Sequence, residues 1–280
     1  MSLPPGLEDA LGPVAAARRI AGGDLNDAWT VELAGGGRAF VKARPGAAPD
    51  EFATEARGLA WLAEPGALRV PRVLACDERF LALEWIDAGR LDAAGEEELG
   101  RGLAALHAAG ADGFGAPWPM RLGPVVLPNE PAGDWPTFYA RRRLEPLAAM
   151  ARDRGALSAA GAGAVLRVCE RIDELAGPPE PPARLHGDLW SGNVLAGADG
   201  RPWLIDPAAH GGHREVDLAM LALFGAPGPR VLDAYAEAHP LADGHAERVA
   251  LYQLLPLLVH AVLFGGGYGR SAEAAARRYV

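Results

Sequence analysis

Three side chains whose oxygen atoms can accept a proton or bind a metal ion lie close together in the chain. Asp188 and Asn193 share one short segment, and Asp206 follows an apolar run at residues 202–205. Phosphoryl transfer from ATP needs one carboxylate to orient the attacking hydroxyl. It also needs an amide oxygen and a second carboxylate to hold Mg²⁺ against the phosphates. The order and spacing of these three residues indicate this chemistry.

The residues around the three side chains predict how they are positioned. Residues 194–195 and 203–205 can pair as a small hairpin around the turn-forming residues 197–200. That hairpin would carry Asp206 back beside Asn193. The alternative is that these Asp and Asn residues are ordinary turn formers.

A lysine in the first part of the chain can supply the positive charge that phosphates need. Lys42 ends a strand-like segment, and residues 50–63 then show the apolar spacing of a helix that Asp50 can cap. Glu55 lies beside the apolar face of that helix and can reach the lysine. Kinases use such a pair to grip phosphates. The alternative for Lys42 is a solvated charge at a sheet edge.

A glycine-containing segment precedes this strand. Gly22, Gly23 and Asn26 lie just before a predicted hairpin with strands at 29–33 and 39–41. A glycine loop can fold over phosphates because its backbone N–H groups approach them closely. We therefore assign these three residues to nucleotide binding, although the segment lacks the G-x-G-x-x-G pattern.

The composition limits the functions open to the chain. Half of its 280 residues are hydrophobic, which allows a large core, and the formal net charge of −9 argues against nucleic acid or an anionic membrane as a partner. Cys76 and Cys169 are far apart, which argues against a disulfide framework. No signal peptide is evident, and polar residues interrupt the apolar stretch 251–264. We predict a cytoplasmic protein with that stretch in its core.

The second part of the chain favours helices. Leu99, Leu103 and Leu106 follow a helical spacing, which predicts a core helix over residues 96–109. His107 lies beside this apolar face. We predict that it is a hydrogen-bonded histidine in the core or at its boundary.

Three motifs resemble those of one known family. They are HGDLWSGN at residues 186–193, IDPA at 205–208 and GHREVDLAM at 212–220. All are similar to motifs of the fructosamine/ketosamine-3-kinase family, within the aminoglycoside-phosphotransferase branch of kinase-like folds. The tryptophan after HGDL distinguishes this family from most aminoglycoside and choline kinases. The resemblance extends over nearly the whole chain.

The resemblance implies an α+β, two-lobed, protein-kinase-like fold. Residues 1–86 would form a small antiparallel-sheet lobe that grips ATP. Residues 87–280 would form a mostly helical lobe with the catalytic and acceptor-binding groups. Between the lobes, Glu84, Trp85 and Ile86 would border the adenine, held mainly through backbone groups.

The resemblance also implies ATP- and Mg²⁺-dependent phosphorylation of the 3-hydroxyl of a ketosamine. The acceptor would be a ribulosamine or fructosamine, free or on a glycated protein. Asp188 would orient and deprotonate the sugar hydroxyl, while Asn193 and Asp206 would hold Mg²⁺. Lys42, fixed by Glu55, would bind phosphate oxygens.

Further residues are assigned to the acceptor side on the same resemblance. Trp190 would stack on the sugar, with simple packing behind the loop as the alternative, and His213 and Glu215 would contact the acceptor. Asp217 would brace the catalytic loop. The proline- and glycine-rich segment 114–135 would form an ordered insertion near the acceptor.

Two other functions are compatible with the same fold. One is a small-molecule kinase for an aminoglycoside or another amino alcohol, and the departure from the family's aromatic residues at His210 and Gly211 leaves the acceptor preference open. The other is an ATP-binding, pseudokinase-like protein, against which the complete set of lysine, glutamate, asparagine and two aspartates argues. The sequence does not indicate an oligomeric state.

Overall fold

The computed structural model describes residues 3–20, 26–225 and 228–280. Within them, an N-terminal antiparallel sheet with one long helix is followed by a mostly helical region. This is the two-lobed α+β arrangement that the sequence predicts, while the boundary after residue 86 stays a prediction. Gly22 and Gly23 lie outside the described residues.

The N-terminal lobe is built on a five-stranded antiparallel sheet with the strand order β1-β2-β3-β5-β4. The predicted hairpin is present as β2 and β3. The sequence does not predict β1, because its central residues are all exposed and show no alternation. The elements of this lobe before its long helix are α1 (Leu7–Leu11), β1 (Val14–Ile20), β2 (Asp27–Leu33) and β3 (Arg38–Ala43); after it come β4 (Val73–Cys76) and β5 (Phe80–Glu84).

Helix α2 (Glu51–Ala63) packs against this sheet and carries Glu55. Its apolar positions, such as Phe52, are buried, as the spacing predicts. Asp50 precedes the helix but makes no capping hydrogen bond with its side chain, and its carboxylate pairs with Arg121 of the other lobe. The capping prediction is wrong because a residue distant in sequence competes for the carboxylate.

The C-terminal lobe contains the remaining helices, whose apolar faces form its core. Leu99, Leu103 and Leu106 on α3 are buried, as their spacing predicts. A single π-helical turn, Ala140–Leu144, joins α4 to α5. The helices are α3 (Ala93–Ala108), α4 (Trp135–Tyr139), α5 (Glu145–Asp153), α6 (Ala159–Glu170), α7 (Ile172–Leu175), α8 (Glu215–Leu223), α9 (Pro229–Ala238), α10 (His245–Tyr252), α11 (Leu254–Phe264) and α12 (Tyr268–Ala276).

The segment 114–135 is an ordered insertion, as predicted. Its strands β6 (Met120–Leu122) and β7 (Val125–Leu127) form a hairpin. The indole Nε1 of Trp118 donates a hydrogen bond to the carbonyl oxygen of Ala209 at 3.0 Å. This contact fixes the insertion against the segment that follows Asp206.

Two further short strand pairs position residues 186–193, which the sequence predicts to be catalytic (the catalytic segment). Strand β8 (Ala183–Leu185) pairs with β11 (His210–Gly212), and β9 (Val194–Ala196) pairs with β10 (Pro202–Leu204). The second pair confirms the predicted hairpin. Within β11, a Cβ on Gly211 would come 2.0 Å from a backbone carbonyl oxygen, so no larger residue fits there.

The apolar stretch near the C-terminus is buried, as predicted. Residues 245–264 have the length and composition of a helix that could cross a membrane, but 67% of the apolar window lies inside the structure. The stretch forms α10 and α11, which pack on α5, α8 and α12. Its apolar side chains therefore form part of the core of the C-terminal lobe.

Candidate active site

The catalytic segment follows directly from β8. Gly187 has a φ of 82°, and a Cβ at this position would come 2.1 Å from the carbonyl oxygen of Ala208, so only glycine fits. The ring of His186 accepts a hydrogen bond from the Asp188 N–H at Nδ1 (3.2 Å) and donates one from Nε2 to Ile205 O (2.9 Å). Burial lowers the pKa of His186, which favours this neutral form.

Asp217 braces this segment, as the sequence predicts. Its carboxylate is fully buried and accepts hydrogen bonds from the backbone N–H groups of His186 (2.7 Å) and Gly187 (2.9 Å). His107 is also buried, with Nε2 3.4 Å from the same carboxylate and Nδ1 2.8 Å from the hydroxyl oxygen of Tyr235. The prediction of a hydrogen-bonded core histidine is therefore confirmed.

The substitution Asp217→Asn should reduce stability. Asn keeps the shape but replaces one accepting oxygen with a donor, so one buried backbone N–H loses its partner at a cost of about 1–3 kcal/mol. Urea denaturation should show this loss. Asp233→Asn, an exposed change on α9, is the matched control and should have little effect. Equal stability of the two variants would contradict the bracing role.

The side chain of Asn193 holds the carboxylate of Asp188. Asn193 lies in a short 3₁₀ turn, and its Nδ2 donates to the backbone oxygen of Asp188 at 2.8 Å and to its Oδ2 at 3.2 Å. The amide oxygen of Asn193 is then left as the atom that can bind a cation. Burial, followed by the charge of Asp206, raises the pKa of Asp188 to about 7, against the lowering effect of Asn193.

Asp206 lies beside Asn193, where the β9–β10 hairpin was expected to place it. The N–H of Ile205 donates to the carbonyl oxygen of Asn193 at 3.1 Å. Asp206 has a φ of 53°, the only non-glycine residue of the described chain with a positive φ. Aspartate tolerates this left-handed conformation better than most residues, and such strain concentrates at functional sites. The chain here turns to present the Asp206 carboxylate.

Lys42 links the two lobes at this point. From β3, its Nζ lies 2.5 Å from Glu55 Oε2 and 2.7 Å from Asp206 Oδ1. The predicted ion pair with Glu55 is therefore present. Burial would lower the pKa of Lys42, but the charges of Asp206 and Glu55 outweigh it and raise this pKa above its usual value. The same lysine charge lowers the pKa of Asp206.

The side chains of Lys42, Asp188 and Asp206 line one cleft, together with buried polar atoms of neighbouring residues. Thr54 Oγ1, Glu55 Oε1 and Arg121 Nε are buried and lack a hydrogen-bond partner within the described part of the chain. Buried polar atoms are rarely left unpaired, so they suit a polar ligand. The cleft is lined by Asn26, Lys42, Arg44, Thr54, Glu55, Trp118, Arg121, Asp188, Asp206 and Phe264, among others.

The residues predicted to border adenine lie where the chain leaves β5. The Glu84 carboxylate accepts hydrogen bonds from Arg72 N (2.8 Å) and Arg72 Nε (3.0 Å). The Trp85 N–H donates to Arg38 O at 3.4 Å. The Glu84 side chain is thus occupied, and its backbone N–H donates to Arg72 O at 2.9 Å. The adenine contacts of Glu84, Trp85 and Ile86 stay a prediction.

The structure does not bring His213 and Glu215 to the cleft. The Glu215 carboxylate is buried and binds Arg248 through two hydrogen bonds of 2.6 and 2.9 Å. The ring of His213 stacks on Tyr252, with 5.2 Å between centroids. The side chains of His213 and Glu215 thus point into the core, which argues against their assignment as acceptor contacts. Trp190, in contrast, is 40% exposed beside the catalytic segment.

Two residues at the cleft could not be assigned from sequence. Arg121 comes from the insertion hairpin. The only feature of the sequence that could have indicated a functional role for Arg121 was its place in a proline- and glycine-rich segment. His260 lies on α11 yet lines a cavity beside Asp188. The sequence signal for His260 was a polar residue within an otherwise apolar helix.

Comparisons with known proteins agree with this geometry. A model of the fructosamine kinase family matches residues 8–280. A probable ketoamine kinase of Enterococcus faecium is 36% identical over 260 residues, or 91% of each chain. A probable ketoamine kinase of Thermus thermophilus is 39% identical over 247 residues, or 88% of this chain and 87% of the relative.

Solved structures give the same result. The crystal structure of a fructosamine-3-kinase candidate from Thermobifida fusca is similar with a TM-score of 0.91 at 48% identity, covering 96% of this chain and 95% of that one. The choline kinase LicA of Streptococcus pneumoniae, at 16% identity and a TM-score of 0.65, covers 97% of this chain and 95% of its own, and it shares the fold alone. The predicted protein-kinase-like fold is thereby confirmed. Because the family match extends over almost the entire chain and includes the catalytic segment, this protein belongs to the fructosamine kinase family, and it is a phosphotransferase that acts on an alcohol group.

Proposed function

We propose that this protein transfers the γ-phosphoryl group of ATP to the 3-hydroxyl of a ketosamine of the ribulosamine or fructosamine type. Membership in the family supports the kinase activity and the use of ATP. The observation that carries the proposal is the convergence of Asp188, Asp206 and Lys42 in one cleft, with Asn193 hydrogen-bonded to Asp188. Catalysis of phosphoryl transfer is mostly positioning and electrostatic stabilisation, which such a set can provide.

Asp188 is the residue proposed to act on the acceptor. Its carboxylate faces the cleft, and the hydrogen bond from Asn193 fixes Oδ2, so the other oxygen can receive the sugar hydroxyl. A pKa raised to about 7 makes this carboxylate a stronger base than an ordinary aspartate. Asp188 would thus orient the hydroxyl and take its proton.

The donor set beside Asp188 fits Mg²⁺. Asn193 offers an amide oxygen and Asp206 a carboxylate, both of which are hard oxygen ligands. When bound, Mg²⁺ neutralises charge on the phosphate oxygens. Asn193 and Asp206 are the residues proposed to hold it, and Lys42 would bind phosphate oxygens while Glu55 keeps the ammonium in place.

Binding of ATP with Mg²⁺ should raise the melting temperature, and Lys42→Met should weaken this shift. A ligand at a hundredfold excess over Kd adds about 2.7 kcal/mol of stability, or roughly 5–10 °C for a chain of this size. At that same ATP concentration, thermal melts of Lys42→Met should show less than about half of the wild-type shift, which corresponds to a Kd weakened more than about tenfold, since a charge on the phosphates loses its partner.

The control for this measurement is Arg167→Met on α6, which lies outside the cleft. This variant should keep the full ATP shift. An unchanged shift in Lys42→Met would contradict the assignment of Lys42 to phosphate binding, and with it the nucleotide-gripping role of the N-terminal lobe.

The proposed function is tested by phosphate transfer from labelled ATP to a panel of acceptors. The panel contains synthetic ribulosamines and fructosamines, aminoglycosides, other amino sugars and choline, together with a glycated protein. Transfer to the ketosamines with far higher kcat/KM than to the others supports the proposal. Transfer confined to an aminoglycoside or choline would replace the ketosamine by another amino alcohol. A cytoplasmic location is also part of the proposal.

A further inference from the structure

A small cavity adjoins the carboxylate of Asp188 on the side of α11. Its walls come from Leu122 of the insertion, Met220 of α8, and Val259 and His260 of α11. Of the described residues that line it, only Asp188 and His260 are ionisable. The cavity has a volume of about 10 Å³, which is room for about one water-sized group, and its walls are apolar apart from Asp188 and the imidazole of His260.

His260 presents a hydrogen-bond acceptor at this place. Its Nδ1 lies 2.7 Å from the carbonyl oxygen of Pro256, and because a carbonyl can only accept, Nδ1 carries the hydrogen. The lone pair of the neutral ring is therefore on Nε2, for which no partner is found in the described residues. Burial lowers the pKa of His260, which favours the neutral ring.

An aromatic cluster surrounds this histidine and extends to the surface. The ring centroid of His260 lies 4.8 Å from that of Phe224, 5.0 Å from Tyr268 and 5.5 Å from Phe264. Phe224 in turn contacts Trp190 at 6.4 Å. Phe264 also lines the main cleft and is 55% exposed. The apolar surface thus continues from the cavity at Asp188 to the mouth of the cleft.

The positively charged side chains of the wider cleft each already have a carboxylate partner. Arg44 and Arg121 line the wider cleft, but Arg44 pairs with Glu51 and Arg121 pairs with Asp50. A carboxylate placed in the small cavity would instead lie next to the charge of Asp188 without a cation. The chemistry of the walls therefore disfavours an anionic substituent.

On the basis of the proposed function, we infer that His260 contacts the acceptor amine at the small cavity and that the aromatic cluster binds the apolar N-substituent of this amine. In a ketosamine the amine is on C1 and the reacting hydroxyl on C3 of the same sugar, so both fit adjoining parts of one pocket. The amine N–H would donate to His260 Nε2, and aromatic rings stabilise a nearby ammonium. The substituent would pass Phe264 toward solvent.

The inference is tested with two fructosamines that differ only in the substituent on nitrogen. One carries a hexyl chain and the other a carboxymethyl group. The wild-type kcat/KM should be at least about tenfold higher for the hexyl compound, since each buried methylene contributes about 0.8 kcal/mol. Phe264→Ala should raise KM for the hexyl compound roughly fivefold, and by clearly more than it raises KM for the carboxymethyl compound.

Leu166→Ala is the matched control, because Leu166 is similarly exposed on α6 outside the cleft. A second variant, His260→Phe, keeps an aromatic ring but removes the accepting nitrogen, and it should raise KM for both fructosamines roughly fivefold with little change in kcat. Unchanged KM values would overturn the amine contact.

Two other outcomes separate this inference from the proposed function. Equal kcat/KM for the two fructosamines, or preference for the carboxymethyl compound, would overturn the inference and leave ketosamine phosphorylation intact. Absence of transfer to either fructosamine and to the ribulosamines of the panel would overturn the proposed function and this inference with it.

Discussion

Asp188→Asn should lower kcat on a ketosamine by roughly 10²–10⁴, the scale expected for loss of a general base. The change keeps the size of the side chain and removes the negative charge and the proton acceptor. The substitution leaves Asn193 and Asp206 unchanged, and these are the residues proposed to hold Mg²⁺. ATP should therefore still bind. Steady-state rates of ADP formation with a ketosamine present, together with ATP binding by calorimetry, measure both effects.

Asp199→Asn is a suitable control for this prediction. Asp199 is an exposed aspartate in the turn between β9 and β10, where its carboxylate pairs with Arg69 on the surface. Its substitution should leave kcat close to that of the wild type. Undiminished kcat in Asp188→Asn would contradict the catalytic assignment and the kinase mechanism built on it.

Asp206→Asn should lower Mg²⁺-dependent turnover by about 10²–10³ and raise the Mg²⁺ concentration needed for half-maximal rate. The loss follows from removal of one carboxylate ligand and of the negative charge beside Lys42, 2.7 Å away. Asparagine is preferred to alanine for this test because residue 206 has a φ of 53°, which asparagine tolerates and alanine does not. Turnover measured over a Mg²⁺ titration separates the two effects.

The fold of the Asp206→Asn variant must be verified independently. Lys42 keeps Glu55 as a charged partner in this variant, so the protein should stay folded, and a thermal melt without ligand verifies this. Near-normal turnover with an unchanged Mg²⁺ requirement would remove Asp206 from the metal site. In that case Asn193 alone could not account for metal binding.

Much of the site could be predicted because its parts are close in sequence. Asp188, Asn193 and Asp206 belong to one loop and one hairpin, and local turn chemistry fixes their relative places. The pair of Lys42 and Glu55 was predictable because a strand followed directly by a helix leaves few arrangements. The regular spacing of the leucines likewise predicted the core helix α3, because a helical spacing is a property of residues close in sequence.

The wrong predictions concern residues whose partners are distant in sequence. Nothing near Glu215 reveals that Arg248 will bind its carboxylate inside the core. The capping role expected for Asp50 failed because Arg121, from an insertion with no regular pattern, takes its carboxylate. Such pairs depend on tertiary packing, which periodicity and local propensity do not encode.

The acceptor side of the site illustrates the same limit. Its aromatic cluster combines Trp190, Phe224 and the end of α11, which are brought together only in the folded C-terminal lobe. In sequence, His260 is one polar residue in a buried helix. Its place beside Asp188 follows from the packing of α11 against α8 and the insertion hairpin.

The position of the transferred phosphate tests the central claim most directly. A fructosamine is incubated with the protein, ATP and Mg²⁺, and the product is analysed by phosphorus and carbon NMR. We predict a phosphate ester on O3 of the sugar, shown by phosphorus coupling to C3 and its neighbouring carbons. A phosphate on another oxygen, or transfer to an aminoglycoside and to no ketosamine, would contradict the assignment.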